Sequence, residues 1–267
     1  MQDKILVFIP CYNCAPQIKR VLGQFDEKTS RHFSEILLLD NGSRDGTVEA
    51  AVEAAANIKE IPVTIAKNQA NYNLGGSHKV AFRYAVENGF SHVVVLHGDD
   101  QGTISDLLPV LANGSHRRLD ACLGARFMAG SRLAGYSAFR IFGNRVFNII
   151  FTLGTRASVK DLGSGLNIFG RRVIEDERLV RYADDLRFNV YLLLGMFDRN
   201  LRVEYFPISW REDDQFSNVK MTSQALRTLH LLWQAISNKK TFWKQDHREV
   251  AHKTYAFDVI HRTWGKA

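Results

Sequence analysis

Residues 92–101 read His92-Val93-Val94-Val95-Leu96-His97-Gly98-Asp99-Asp100-Gln101. The first five are short, mostly apolar and β-branched, and polar turn residues follow at once, the pattern of a buried strand that ends in a loop. Three runs of the same kind precede it, at 5–9, 35–39 and 63–66. Helical stretches separate them at 17–25, 47–56 and 77–87, the last closed by Asn88-Gly89. Strand alternating with helix predicts an α/β fold, a mostly parallel sheet with helices on both faces. The second half is less regular. It predicts strands at 121–124, 165–169 and 202–207, and helices at 139–153, near 188–197 and at 223–236.

Open sheets of this kind bind ligands beyond the carboxyl ends of their strands. The residues there are Pro10-Cys11-Tyr12-Asn13-Cys14, then Asp40-Asn41-Gly42-Ser43, then His97 to Gln101. Clustered carboxylates such as Asp99 and Asp100 repel one another unless a cation sits between them. Oxygen donors suit Mg2+ or Mn2+, which bridge a substrate's phosphates. The plainer alternative is a polar turn whose aspartate caps a helix starting near Thr103 or Ser105. Asp40 can accept hydrogen bonds from a ribose or a base, or simply shape its turn. Gly42 and Gly46 allow tight turns close to a ligand, and Asp45 or Thr47 can cap the next helix. Tyr12 can stack on a base.

The three tips together resemble glycosyltransferase family 2, the inverting enzymes of the Rossmann-like GT-A fold. The family has Pro-x-Tyr-Asn after its first strand, Asp-Asp-Gly-Ser-x-Asp-Gly-Thr after its second and an Asp-x-Asp-type metal site after its fourth. This chain has Pro10, Tyr12 and Asn13; then Asp40, Gly42, Ser43, Asp45, Gly46 and Thr47; then Asp99 and Gln101. Within the family it resembles the dolichol-phosphate mannose synthase-like branch, which glycosylates polyprenyl phosphates. That branch continues with Gly-Ser-Arg, an amphipathic helix and Asp-x-x-Ser-Gly-Phe-Arg, then an Arg and a Ser-Lys pair. The counterparts here are Gly124-Ala125-Arg126, residues 139–153, the run from Asp161 to Asn167, Arg211, Ser217 and Lys220. The likeness covers residues 4–221. Five positions depart from it. His97 replaces the first Asp of the metal motif, Asn41 the second Asp of the turn, and Asn167 the Arg of the acceptor motif. Cys14 stands where an acid is common, and Ser217 is separated from Lys220. These mark a side branch.

The resemblance implies an inverting enzyme that moves a hexose from a nucleotide sugar to an acceptor. Pro10, Tyr12, Asn13, Asp40, Gly42, Ser43 and Asp99 would hold the donor. Mg2+ or Mn2+ would sit on Asp99 and Gln101, with His97 beside them. Arg126, Ser164, Ser217 and Lys220 would meet the acceptor or a phosphate, and Asp161 and Arg211 would be catalytic. Negative charge builds on the departing nucleoside diphosphate, and a divalent cation with Arg211 and Lys220 would stabilise it. A lipid phosphate is already ionised at neutral pH. A sugar hydroxyl needs a carboxylate to take its proton. Asp161 is the first candidate by position, and Asp184-Asp185 the fallback. A polyprenyl phosphate is the expected acceptor; the alternative is a saccharide hydroxyl in polysaccharide or glycolipid synthesis for the cell envelope.

The 267 residues include 45% apolar and 24% charged side chains, an ordinary globular mix, with a net charge of +7. Nucleic acid, an anionic membrane and a phosphorylated substrate are the partners such a charge suits. The acidic tips argue against the first, and a purely basic surface module would leave those tips unexplained. From Asn218 onward there are nine Lys and Arg against three acids, with Trp233, Trp243 and Trp264 among them. Residues 139–153 mix Phe and Ile with Arg140 and Arg145, as an interfacial helix does. No apolar run reaches the ~20 residues of a membrane span, and the start lacks a signal-peptide pattern. The expectation is a GT-A domain at 1–221 with a basic, aromatic-containing helical extension at 222–267, cytoplasmic and peripheral on the membrane's cytoplasmic face. Three cysteines fit a reducing compartment. Cys11 and Cys14 form a Cys-x-x-Cys, but the same stretch is accounted for without redox chemistry, and zinc would need a second ligand pair. No Gly-x-Gly-x-x-Gly follows the first strand, which excludes a dinucleotide-binding oxidoreductase. A nucleotidyltransferase would need a Gly-rich basic loop there, and Pro10 to Pro16 is neither.

Overall fold

Among the described residues, ten strands organise the chain: β1 (Ile5–Cys11), β2 (Glu35–Asp40), β3 (Val63–Asn68), β4 (His92–Leu96), β5 (Ala121–Ala125), β6 (Arg132–Ala134), β7 (Leu166–Gly170), β8 (Val203–Pro207), β9 (Ser209–Arg211) and β10 (Phe257–Thr263). The computed structural model describes residues 3–212 and 221–265. Its helices are α1 (Ala15–Leu22), α2 (Glu27–Ser30), α3 (Thr47–Ala55), α4 (Asn73–Glu87), α5 (Leu108–Ala112), α6 (Ser115–Arg118), α7 (Ala138–Thr155), α8 (Arg171–Ile174), α9 (Phe188–Asp198), α10 (Met221–Ser237) and α11 (Lys239–Phe242).

Alternate residues of the central strands bury on opposite faces of the sheet. Leu6, Phe8, Leu37, Leu39, Val93 and Val95 join one core with residues of α4 and α9. Val7, Ile9, Ile36, Leu38, Val94 and Leu96 join the other with α1 and α3. Covered on both sides, these strands read as near-continuous apolar runs. The sheet order is β10-β3-β2-β1-β4-β7-β5-β8, and β6 and β9 form a separate parallel pair. Chain order reverses at β1, with β2 and β3 on one side and β4 on the other. Loops part at such a switch point and leave a crevice. The tips after β1, β2 and β4 all open there.

The second half departs from the parallel pattern. β7 runs antiparallel between β4 and β5, and β10 antiparallel along the outer edge of β3. Within 222–265, α10 and β10 pack on the same core and sheet. Leu231, Leu232 and Ala235 of α10, with Phe242 and Tyr255, belong to the same core as Phe8 and Val95. Trp243 packs inward against Tyr182 and Phe242, so it is not a surface tryptophan. A buried ion pair pins this segment down. The Lys79 ammonium donates to Asp184 at 2.7 Å and to the carbonyl of Tyr182 at 2.6 Å. The Tyr255 hydroxyl lies 2.9 Å from the same carboxylate. Among the described residues, no helix is long and apolar enough to cross a membrane.

Candidate active site at the strand tips

The first two tips are braced together. Asn13, in the left-handed region at φ 50, receives the amide of Arg44 on its side-chain oxygen at 3.0 Å and gives its own amide to the Ser43 hydroxyl at 2.8 Å. The amide of Cys14 bonds the Thr47 hydroxyl, and that of Ala15 the Asp45 carboxylate. Burial raises the pKa of Asp45, but bonds from Thr47 and Ala15 outweigh it and hold the carboxyl below its usual range. Tyr12 stands exposed at the mouth, open to stacking. The third tip joins through backbone. The Gly98 amide donates to the Pro10 carbonyl at 3.1 Å. A Cβ on Gly98 would lie 2.7 Å from the Cys11 sulfur and 3.2 Å from that of Cys14, so only glycine permits the approach.

Several expected roles change in three dimensions. Asp40 is fully buried, and its carboxylate accepts the amides of Gly42 and Ser43. It builds the turn, with Gly42 at φ 90. Asn41 is likewise turned inward, bonding Asn68, Asn71 and the amide of Tyr72. Ser164 is buried and donates to the carbonyl of Leu166. Asn167 bonds the Ser164 carbonyl and the Gly124 amide. Both are internal struts rather than acceptor contacts. Ser217 and Lys220 lie outside the described residues.

Asp161 and Arg126 are brought together, each occupying the other. Asp161 accepts Arg126 Nε and Nη2 at 2.8 Å each, the Arg126 amide at 2.9 Å and the Gly163 amide at 3.2 Å. Burial opposes the Arg126 charge, but Asp161 more than compensates, and its pKa rises. The guanidinium lies between the rings of Phe127 and Trp210, 5.1 Å from each centroid. Held this way, the carboxylate and the guanidinium satisfy each other. The fallback base is engaged too: Asp184 by Lys79, and Asp185 by Arg187.

The metal motif divides its labour. Asp100, at φ 60 and almost fully buried, accepts Arg20 Nε at 2.5 Å and the Arg211 guanidinium, while Arg211 Nε also bonds its carbonyl at 2.8 Å. Arg211 is therefore placed beside the third tip, with its amide on the Gln101 carbonyl. Burial raises the pKa of Asp99 to about 6, with the Asp100 charge adding to it and the Gln101 amide opposing. Burial pushes His97 down to about 4, with the charge of Arg126 adding, so its imidazole is neutral at pH 7. His97 Nε2 is buried without a hydrogen-bond partner. Among the described residues, no three His, Cys, Asp or Glu side chains form a cation cage. A Mg2+ or Mn2+ that bridges phosphates needs only one or two carboxylates, the substrate and water supplying the rest. Asp99 meets that requirement as a single carboxylate, and the buried nitrogen of His97, two residues away, is left without a hydrogen-bond partner.

The family model described as Glycosyl transferase family 2 matches residues 6–179, more than half of the chain. The chain belongs to glycosyltransferase family 2. Glycosyltransferase AglJ of Haloferax volcanii is 25% identical over 224 residues, 81% of this chain and 67% of that protein. The undecaprenyl-phosphate mannosyltransferase of Micrococcus luteus is 26% identical over 51% of this chain and 54% of its own. The dolichol-phosphate mannosyltransferase of Pyrococcus furiosus is 24% identical over 86% and 63%. The chain thus spans about half to two thirds of the length of these relatives. Solved structures agree on a GT-A fold. Glucosyl-3-phosphoglycerate synthase from Mycobacterium tuberculosis, in complex with Mn2+, UDP and glucosyl-3-phosphoglycerate, superposes with a TM-score of 0.61 at 13% identity, covering 88% of this chain and 80% of that one. A mannosyltransferase from Pyrobaculum calidifontis, in complex with GDP-Man and Mn2+, gives 0.58 at 17% identity over 90% and 65%.

The sequence did not signal Arg20 or Gln24. Arg20 sits on α1 and reaches Asp100 across 80 positions, and Gln24 bonds the Ile104 amide. Trp210, beside Arg211, gave no sign that it would cover Arg126.

Proposed function

We propose that this family 2 enzyme transfers a hexose from a nucleotide sugar to a polyprenyl phosphate with inversion, at the cytoplasmic face of a membrane. The observation that carries the choice of acceptor is that, among the described residues, the candidate bases Asp161 and Asp184 and the neighbouring Asp100 are all engaged. Asp161 is filled by Arg126 and two backbone amides, Asp184 by Lys79, and Asp100 by Arg20 and Arg211. A hydroxyl acceptor calls for a carboxylate able to take a proton, whereas a phosphate monoester arrives ionised. The relatives named for undecaprenyl and dolichol phosphate point the same way.

Pro10, Tyr12, Asn13, Gly42 and Ser43 frame the donor crevice, Tyr12 by stacking and the others by backbone and hydroxyl contacts. Asp99 and His97, with Gln101 beside them, would hold Mg2+ or Mn2+. When bound, that ion offsets charge on the departing nucleoside diphosphate. Arg211, held by Asp100, adds a fixed positive charge at the same edge. Asp161 orients Arg126, and Arg126 in turn fixes the loop from Asp161 to Gly163.

The test is transfer from radiolabelled nucleotide sugars, with Mn2+, to a short-chain polyprenyl phosphate in detergent and to water-soluble saccharides. A lipid-linked product with release of a nucleoside diphosphate is expected. Transfer to the saccharide alone would overturn the choice of acceptor and leave family membership standing.

A further inference from the structure

The sequence pattern of α7 permits a core helix or an interfacial one, and the structure decides between them. Phe139, Phe142, Val146, Ile149 and Leu153 recur at intervals of three and four and so share one side of the helix. All five are exposed, by 36% to 79%. The opposite side is the anchored one. Phe151 is fully buried, Asn148 donates to the Lys160 carbonyl at 2.6 Å, and the Arg140 guanidinium pairs with Glu212. A second helix continues the apolar surface. On α10, Leu226, Trp233 and Ile236 are at least half exposed, while Leu231 on its other side and Leu232 at the contact with α7 are buried. The two helices touch at Gly154, where a Cβ would lie 2.9 Å from Ile236 Cδ1 and 3.2 Å from Leu232 Cδ2. Gly154, next in sequence to Leu153, and Ile236 therefore meet at the seam.

An apolar patch spanning two helices is uncommon on a soluble surface and marks a docking site. Its charge chooses the occupant. Residues 138–156 and 221–240 contain no Asp or Glu, and carry Arg140, Arg145, Arg156, Arg227, Lys239 and Lys240. Arg145 and Arg156 are exposed and, at about 100° per residue, fall along one border of the α7 stripe. Arg140 and Lys239 are already paired, with Glu212 and Asp198; a second copy docked face to face would set the remaining cations against their own kind, with no carboxylate in either helix to answer them. An anionic bilayer answers them with lipid headgroups and takes the apolar side chains below.

We infer that the paired exposed faces of α7 and α10 form a membrane-docking surface that inserts apolar side chains into an anionic leaflet. The inference deepens the polyprenyl-phosphate reading by naming the surface that meets the lipid. It sets the docking site on α7 and, within the basic C-terminal stretch, on α10 alone. Trp243 is drawn into the core, and Trp264 follows β10 at the far edge of the sheet. The surface also lies close to the crevice, because α7 follows β6, which pairs with β9 and so with Arg211. A lipid phosphate leaving the leaflet beside α7 has a short path to the third tip.

The experiment is flotation of the full chain with phosphatidylcholine vesicles, with and without phosphatidylglycerol, at low and high salt. The wild-type chain should float with the anionic vesicles. F142D/I149D should lower the partition coefficient at least tenfold, and Arg145→Gln with Arg156→Gln should weaken binding only to the anionic vesicles. Both variants should keep the wild-type thermal shift with a nucleoside diphosphate and Mn2+, which confirms the fold. Wild-type protein that ignores vesicles but glycosylates polyprenyl phosphate in detergent would overturn the docking surface and leave the acceptor reading intact. Vesicle binding abolished by F142D/I149D, in a chain that never uses polyprenyl phosphate, would uphold the surface and overturn the acceptor. A wild-type dimer that F142D/I149D turns into a monomer, with no vesicle binding, would make the face a contact between copies and overturn the inference.

Discussion

Asp99 shows what burying a carboxyl at a strand tip costs. Burial lifts its pKa from 3.8 to about 6, so between those values the folded chain holds more protons than the unfolded one. The stability tied to this group is fully present below about pH 4 and is lost as pH rises through about 6. At pH 7 the ionised carboxyl weakens the metal-free fold by up to about 3 kcal/mol. Asp99→Asn should therefore raise the melting temperature of the metal-free protein at pH 7, by an amount that shrinks toward pH 4. The same variant should lose Mn2+-dependent nucleotide binding in calorimetric titrations. A variant that melts lower than wild type at pH 7 would mean that neighbouring groups stabilise the ionised form. The acidic tip and its spacing were legible in the sequence, because carboxylates at a strand end are a local pattern. The division of labour between Asp99 and Asp100 was not. It depends on Arg20, whose approach to Asp100 follows from how α1 packs on the sheet. The internal bonds of Asp40 and Ser164 were hidden for a similar reason: a polar residue at a tip can face its own turn as readily as a ligand.

At the scale of elements, α4 carries a charge into the core. The side chains of Lys79 and Asp184 are 5% and 9% exposed, and breaking such a pair by removing one partner strands the other charge. Lys79→Met should cost about 3–5 kcal/mol of stability, read from urea denaturation. Replacing Asp184 by Leu in the same chain should recover most of that loss. If the single substitution shifts the midpoint little, Tyr255 and the carbonyls of Tyr182 and Val180 are not holding the segment through this lysine. The four leading strands and their helices were readable because apolar residues on both sheet faces leave an unmistakable run. Strand direction was not, since a two-residue period is the same for β7 or β10 run either way. Three-residue strands such as β6 and β9 are too short to show any period. Their place comes from the crossing of residues 132–134 and 209–211 beside the third tip.

Across the whole molecule, β10 covers what would otherwise be the open edge of β3. An uncovered edge of this kind pairs with other chains. Ending the chain at Ala256 should leave a protein that associates at micromolar concentration, detectable by light scattering, while its nucleotide crevice on the other side of β1 still forms. Monodisperse truncated protein would show that β3 is protected without β10. The same pairing sets a timetable for synthesis. Val63 and Thr263 are bonded across 200 positions, so the ribosome finishes β3 long before it reaches β10. At about 5–20 residues per second, the 189 residues from Asn68 to Phe257 take roughly 10–40 s to translate. For that interval Val63, Thr64, Ile65 and Ala66 wait on the nascent chain with one side unpaired, and Lys67 is the single charge in the strand. The interval is long enough for neighbouring chains on one polysome to find each other, so the yield of active enzyme should depend on how crowded the message is with ribosomes.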